Sequence, residues 1–473
     1  MDLVSPKMIK FLGIEPERGA KEFLNFNLQR LRYLGIWRWD VPHFKLNQAF
    51  ACVQIIAIFL FSVTEILSAF DNLNDLDHLT KLCITTVFVY LLIFKNIYLA
   101  MRMDYACELI DMLENKFFTS SRPPTQEQLM IVNRYGARAK FFTILRSNMA
   151  LSIITFWLCA PLKDMLTEFT SDISFNEDYH SEEVESVVNK TSERQLPFVA
   201  TFPFDIQNSL FNYIIGYVFQ VFCGFTVFIG MPAWDMMFVS IFIHTSGHFK
   251  ALQHVLFNLQ RNLSQTKMRQ DYYSQAVQSS LLAEEQDQCN TNTEALDTSS
   301  MQVIIANQDL DDNMLETLNN CIQHHQLILN FVEKLEGLLG PVMLMQMMAS
   351  VIAFCVIGFQ MSVIPISTES VKFVKLSVSL VSALVEQGMF YWFGGELLEE
   401  SAQTLNAAYH CEWYSTDMKF RQNLRLMMER AKRPVKLTAG GFSLLTLESF
   451  ASVVQSSYSY FTMLKAVHDE DQE

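Results

Sequence analysis

Long apolar windows separated by charged stretches dominate the pattern of this chain. A transmembrane helix needs about 20 mostly apolar residues to cross the hydrocarbon core. Seven segments reach that length: 46–70, 79–101, 141–161, 206–230, 338–364, 372–393 and 442–467. The fourth stays apolar through Thr245, so it is expected to continue past the membrane as helix, with a bend at Pro232. Residues 249–263 and 314–335 have helical apolar spacing and are expected to extend the fourth and fifth spans. Residues 396–430 predict a further helix. Between them, 263–312 is rich in Gln, Ser, Asn and acids and is expected to be disordered, because it has too little apolar surface to bury. No internal repeat is evident, and an odd number of spans argues against an inverted-repeat transporter.

Positive residues resist translocation, so their distribution predicts orientation. The N-terminal segment carries eight basic residues from Lys7 to Lys45, the second connection six from Arg102 to Lys140, and the sixth connection seven from Lys419 to Lys436. The first connection offers Asp71, Asp75 and Asp77 before Lys81, and the third has only Lys163, Lys190 and Arg194 among many acids. Alternate sides agree, which predicts a cytoplasmic N-terminus and an extracellular C-terminus. Asn189-Lys190-Thr191 is a glycosylation sequon on the side placed outside, so Asn189 is the expected glycan acceptor. A second sequon, Asn262-Leu263-Ser264, falls inside.

Composition agrees with the windows. Charged residues are 18% of the chain, against about 25% in soluble proteins, and the deficit comes from the apolar segments. The net charge of −15 is concentrated in two loops and the tail. No basic stripe with interleaved aromatics appears, so no nucleic-acid partner is expected. The first residues lack the pattern of a cleavable signal peptide, and the first span is expected to serve as its own insertion signal. Nine cysteines are spread along the chain without an extracellular cluster. They are expected to be free thiols, although Cys83 and Cys159 lie near outer helix ends where a bridge is conceivable.

Ionisable residues inside spans are few. Lys95 and Arg146 lie toward cytoplasmic ends, and Glu386 and Glu448 toward the inner half. Buried pairing, or snorkelling to the headgroups, is expected there in preference to a proton relay. His244 and His248 are four apart on a helix, but no third ligand suggests itself, and His324-His325 point to different faces. No metal and no cofactor are expected. The G-x-S-x-G, P-loop, G-x-G-x-x-G and H-E-x-x-H patterns are absent, so the chain is read as a non-enzyme.

Seven spans invite comparison with G-protein-coupled receptors, but those have the N-terminus outside. Asn133-Arg134-Tyr135 is similar to their arginine motif yet precedes the third span instead of following it, and the seventh span has no N-P-x-x-Y. Four other runs are more specific. Ala407-Ala408-Tyr409-His410-Cys411-Glu412-Trp413, Pro434-Val435-Lys436-Leu437-Thr438-Ala439-Gly440 and Ser456-Ser457-Tyr458-Ser459-Tyr460-Phe461-Thr462-Met463-Leu464 lie toward the C-terminus, and Cys321-Ile322-Gln323-His324-His325-Gln326-Leu327-Ile328 precedes the fifth span. In these runs the chain resembles the insect odorant receptor family, over nearly its whole length. The T-Y-x-x-x-x-Q-F ending of the gustatory relatives is missing.

The resemblance implies an all-α membrane protein with seven transmembrane helices and cytoplasmic helical extensions that form an anchor region where subunits meet. It implies an odorant-gated, non-selective cation channel in the plasma membrane of olfactory sensory neurons, built as a heterotetramer with a common co-receptor and needing no G protein. Ala466-Val467-His468 and the acidic tail depart from the co-receptor's pattern, which points to a variable, odorant-tuned subunit. The alternative is a polytopic transporter or structural membrane protein without channel activity. The domain reading is 1–45, a cytoplasmic segment; 46–246, helices one to four with the odorant-binding region; 247–336, a long cytoplasmic loop; 337–436, helices five and six with the anchor helix; and 437–473, the pore helix and extracellular tail.

Residue roles follow from the same resemblance. Met463 and Val467, one turn apart, match apolar constriction positions of the last helix, with Tyr460 on the same helix, and apolar rings gate by excluding water. Ordinary packing against lipid or protein is the competing reading. Asp469, Glu470, Asp471 and Glu473 either concentrate cations at the outer mouth or form a solvated tail. The odorant site maps to Phe88 and Val89, to Ala150, Ile153 and Trp157, to Tyr213 and Tyr217, and to Ser377 and Leu380. Such apolar and aromatic groups, with a few hydroxyls, suit volatile ligands that bind by burial and shape, and each also suits plain packing.

Overall fold

The computed structural model describes residues 21–33, 44–73, 75–117, 124–175, 196–206, 209–284, 293–364, 370–411 and 413–470, with Gly35 and Trp37. Side chains within 160–175, 260–284 and 293–313 lie outside the description, as do isolated others. Ten α-helices and one minimal hairpin are found among the described residues.

Helix α1 (Lys21–Tyr33) falls in the segment read only as a cytoplasmic lead. Leu24, Leu28 and Leu31 form a buried stripe at helical spacing, each worth roughly 1.5–3 kcal/mol of burial. Asn27 within that stripe donates to Ser240 Oγ at 2.8 Å and to the Met236 carbonyl at 3.3 Å. The segment therefore docks onto the bundle. The sequence hides this because the stripe is short and interrupted by a polar residue.

Helices α2 (Phe44–Asp71) and α3 (Leu76–Met101) match the first two expected spans to within a turn. Asp75 caps α3 by accepting from the His78 amide at 3.1 Å. Much of α2 exposes large apolar side chains, including Phe50, Ile55, Ile56 and Phe59. In water such a face would be a liability; in lipid it is the natural outer surface.

A short α4 (Met103–Asp111) leads into one π-turn, Met112–Lys116. Helix α5 (Gln126–Phe175) is far longer than the third span it contains. Helix α6 (Leu210–Glu284) runs on through Pro232, which removes the amide that would bond the Phe228 carbonyl. Helix α7 (Thr293–Val363) likewise joins the expected fifth span and its flank into one rod.

The stretch expected to be disordered is helical where it is described, to Glu284 on α6 and from Thr293 on α7. Its Gln, Ala, Leu, Met and Glu content favours helix locally, and a polar helix that extends a packed one needs no core of its own.

Helix α8 (Ser370–Tyr409) covers the sixth span and part of the expected anchor helix. That anchor is broken: a 3-10 turn at Trp413–Ser415 precedes α9 (Met418–Ala431). The Thr416 hydroxyl donates to the Trp413 carbonyl at 2.7 Å, closing the turn. The last span also starts later than position 442. Gly440 and Gly441 take positive φ of 60° and 80°, which a hairpin turn requires and a helix forbids. They link β1 (Thr438–Ala439) to β2 (Ser443–Leu444), and α10 begins only at Leu447, ending at Glu470. The hairpin is tied to α7 by Gly440 N–H donating to the Gly340 carbonyl at 2.8 Å and by Thr438 N–H donating to Glu336 at 2.9 Å.

Among the described residues six helices, α2, α3 and α5 to α8, are long and apolar enough to cross a bilayer. Helix α10 supplies the seventh and is less apolar because it carries Ser452, Ser456, Ser459 and Lys465. It packs on α7 and α8 beside small residues: a Cβ built on Gly358 would sit 3.7 Å from the Phe461 ring, and one on Gly388 3.7 Å from the Phe450 ring. The centre of the bundle is α6, which packs along α5 and α8.

Candidate functional site: a roofed cavity above buried ion pairs

Helices α2, α3, α5, α6 and α8 converge on an apolar cavity of about 90 Å³. Its roof is aromatic. Phe198, from the extended segment before α6, stacks on Trp157 with ring centres 5.6 Å apart, and meets Phe61 edge-on at 6.0 Å. Gln220 is fully buried and holds the Phe198 backbone from both sides, accepting from its N–H and donating to its carbonyl, each at 3.0 Å. Gly224 makes room for the ring, since a Cβ there would sit 3.0 Å from Phe198 Cε2. Trp157 donates its indole N–H to Ser379 Oγ at 3.2 Å, and the Lys375 ammonium lies 3.7 Å from the Trp157 ring centre. Above this roof a second cavity of about 660 Å³ includes Lys81, Lys372 and Lys375 and shares Trp157 and Phe198 with the first.

The floor is charged. Arg146 pairs with Glu386, and both belong to the cavity wall. Gln346 donates to the other Glu386 oxygen at 3.2 Å. Close by, Lys95 pairs with Asp235, with almost no exposure of either side chain, and the Asp235 and Glu386 carboxyl groups meet. Trp234 donates to Asn96 at 2.8 Å in the same layer. Lys95 and Arg146 therefore do not snorkel; each reaches a partner on another helix. Ions buried this way need a partner because an unpaired one costs several kcal/mol.

Five of the expected odorant-site residues come together here: Phe88, Val89, Ala150, Ile153 and Trp157 all line the cavity. Four do not. On α8 the lining positions are Ser379, Ser382, Ala383 and Glu386, so Ser377 and Leu380 fall on neighbouring faces. Ser377 donates to the Phe373 carbonyl at 2.8 Å, and Leu380 packs against the apolar cluster that contains Ile84 and Ile357. On α6 the lining begins at Cys223, six residues and about 9 Å along the axis from Tyr217. Tyr217 instead donates to the Leu158 carbonyl at 2.7 Å and lies 6.1 Å from the Tyr213 ring. Phe61, Phe198, Arg146 and Glu386 also line the wall, beyond the residues the sequence suggests for it. The apolar run Leu196-Pro197-Phe198, abruptly following an acidic loop, was the available signal for the roof.

Tyr460, Met463 and Val467 are exposed on the face of α10 turned away from α7. Asp469 is also exposed and lies 3.7 Å from His468 Nδ1. Asn189, Asp471 and Glu473 lie outside the described residues. All eight described cysteines are free, Cys83 and Cys159 among them. No group of three or more metal-ligating side chains occurs among the described residues.

Comparison with known proteins fits this architecture. A family model described as 7tm Odorant receptor matches residues 75–458. The chain belongs to this odorant receptor family. The receptor is 24% identical to odorant receptor 13a of Drosophila melanogaster over 417 residues, covering 85% of this chain and 83% of the relative. It is 21% identical to the odorant receptor coreceptor of Aedes albopictus, covering 83% and 86%. The fold is shared with the insect olfactory receptor OR5 of Machilis hrabei, solved in complex with eugenol, at a TM-score of 0.70 and 14% identity, covering 95% of this receptor and 98% of that chain. The receptor is thus a multi-pass membrane protein of seven helices, and its family is one of receptors.

Proposed function

We propose that the receptor is a variable, odorant-tuned subunit that binds volatile small molecules in the cavity beneath Trp157 and Phe198. With a common co-receptor it forms a heterotetrameric, odorant-gated, non-selective cation channel in the plasma membrane of olfactory sensory neurons. Its N-terminus is cytoplasmic, as the basic flanks require, and Asn189 carries a glycan on the outer side.

The observation that carries this reading is the cavity itself: apolar walls from five helices, an aromatic roof and a small polar floor. Volatile ligands bind by burial and shape, with few polar contacts to orient them. Helix α10 supports the channel half of the reading. It offers Tyr460, Met463 and Val467 to a space that nothing in this chain fills among the described residues, as a helix facing a shared axis would. Asp469 and Glu470 follow directly and raise local cation concentration at its end. Opening requires no G protein in this scheme, because ligand site and pore belong to one assembly.

The test is co-expression with an insect co-receptor and recording of currents across an odorant panel. Ligand-gated cation current that needs both chains is expected. Solute uptake by this chain alone, without current, favours a transporter instead.

A further inference from the structure

The cavity floor contains a specific chemical preference. Arg146 is 5% exposed, and its guanidinium spends one nitrogen, Nη2, on Glu386. Its Nε and Nη1 have no hydrogen-bond partner among the described residues, and the side chain lies on the cavity wall. Buried donors left this way each cost free energy that an arriving acceptor restores. Glu386 differs, because both of its oxygens already accept, one from Arg146 and one from Gln346. Among the cavity-lining residues described, the buried side-chain polar atoms left without a partner are these two Arg146 donors.

Charge narrows the choice further. Lys95 and Arg146 face Asp235 and Glu386, two basic against two acidic side chains, so the cluster is formally balanced. A charged ligand reaching this floor would find each acid and base of the cluster already paired. An ammonium would in addition meet the guanidinium at close range.

We propose that the cavity selects neutral volatiles bearing a strong hydrogen-bond acceptor, such as ketones and esters, whose oxygen takes the free Arg146 donors while the hydrocarbon tail lies under Trp157 and Phe198. This rests on the odorant-site reading and adds the ligand class to it. Hydrocarbons of equal size lack the acceptor, and amines of equal size bring a cation up to the Arg146 guanidinium.

The experiment uses the full chain with its co-receptor and three probes equal in heavy-atom count: methyl pentyl ketone, octane and heptylamine. In the unmodified receptor the ketone is expected to be about tenfold or more as potent as octane, the value of one hydrogen bond to a charged donor. Two variants test Arg146. Arg146→Lys keeps the cation and its pairing with Glu386 but removes the planar fork. Arg146→Met with Glu386→Gln removes both charges together and avoids an orphaned carboxylate. The double variant is expected to bring the ketone-to-octane ratio close to one, and Arg146→Lys, which keeps N–H donors without the fork, to lower it only part-way, with octane potency shifting less than about threefold in both, the mark of a lost polar contact and not a lost cavity. A ketone preference that survives undiminished in the double variant overturns the proposal, as does equal or absent response to the ketone in the unmodified receptor. Trp157→Ala separates the two levels of the argument. If it weakens all active probes alike while the Arg146 variants leave the ratio unchanged, the acceptor assignment fails and the cavity stands. If none of the three variants alters any dose response, the odorant-site reading fails with it.

Discussion

Lys95 on α3 and Asp235 on α6, 140 positions apart in the chain, form an ion pair sealed inside the bundle. The pair fixes the rotation of both helices, because neither residue tolerates a turn toward lipid. Lys95→Met leaves the Asp235 carboxylate without its ammonium and is expected to cost about 3–5 kcal/mol. Adding Asp235→Asn removes the stranded charge and recovers most of that loss. Thermal unfolding of the detergent-solubilised receptor measures both. Equal melting temperatures for the single variant and the unmodified receptor would refute the pairing.

Trp157 supports the cavity roof from three directions: the Phe198 ring, Ser379 Oγ and the Lys375 ammonium. Trp157→Ala is therefore expected to weaken odorant potency by about ten- to a hundredfold, reflecting lost stacking together with lost enclosure. Tyr217→Phe removes a single hydrogen bond to the Leu158 carbonyl away from the cavity wall and is expected to shift potency by no more than about fivefold. Dose–response curves with the co-receptor check the contrast. Larger loss at Tyr217 than at Trp157 would move the site along α6 toward its start.

The contrast between those two residues also measures what the sequence discloses. Spans were legible because bilayer-length apolar windows are a one-dimensional signal, and α2 and α3 begin and end within a turn of expectation. The depth and rotation of each helix are not one-dimensional. Two positions along α8, from Ser377 to Ser379, change the face by more than half a turn, and only packing decides which serine meets the cavity. Asp235 gives little signal in the sequence because one carboxylate scarcely alters an apolar window, although its partner Lys95 stands out. The roof residue Phe198 lies outside every helix, where periodicity carries no information.

Gly394 on α8 lies against the turn that leads into α10. A Cβ there would sit 2.6 Å from Leu445 Cβ and 2.9 Å from the Leu445 carbonyl oxygen, and backbone cannot step aside as a side-chain tip can. Gly394→Ala is expected to cost about 1–3 kcal/mol by forcing α8 and the hairpin apart. Gly441→Ala, with open space but a φ of 80°, isolates backbone strain of about 1–2 kcal/mol without a clash. Comparing unfolding of the two variants checks the assignment; a milder effect at Gly394 than at Gly441 contradicts the close contact.

Met463 and Val467 are exposed one turn apart on α10, while Phe461, on another face of the same helix, packs beside Gly358 of α7. If that exposed face borders a pore, its apolar side chains keep the closed channel dry, and a polar replacement lowers the barrier to water without touching the odorant cavity. Met463→Ser is thus expected to raise current in the absence of odorant several-fold and to leave odorant potency within about threefold. Val467→Thr, nearly isosteric, changes polarity with little change of volume and is expected to act in the same direction, more weakly. A face that met only lipid would respond differently: serine there would alter surface expression and leave resting conductance per channel unchanged. Single-channel recording beside a surface-expression assay distinguishes the two, and unchanged resting conductance in both variants removes Met463 and Val467 from the gate.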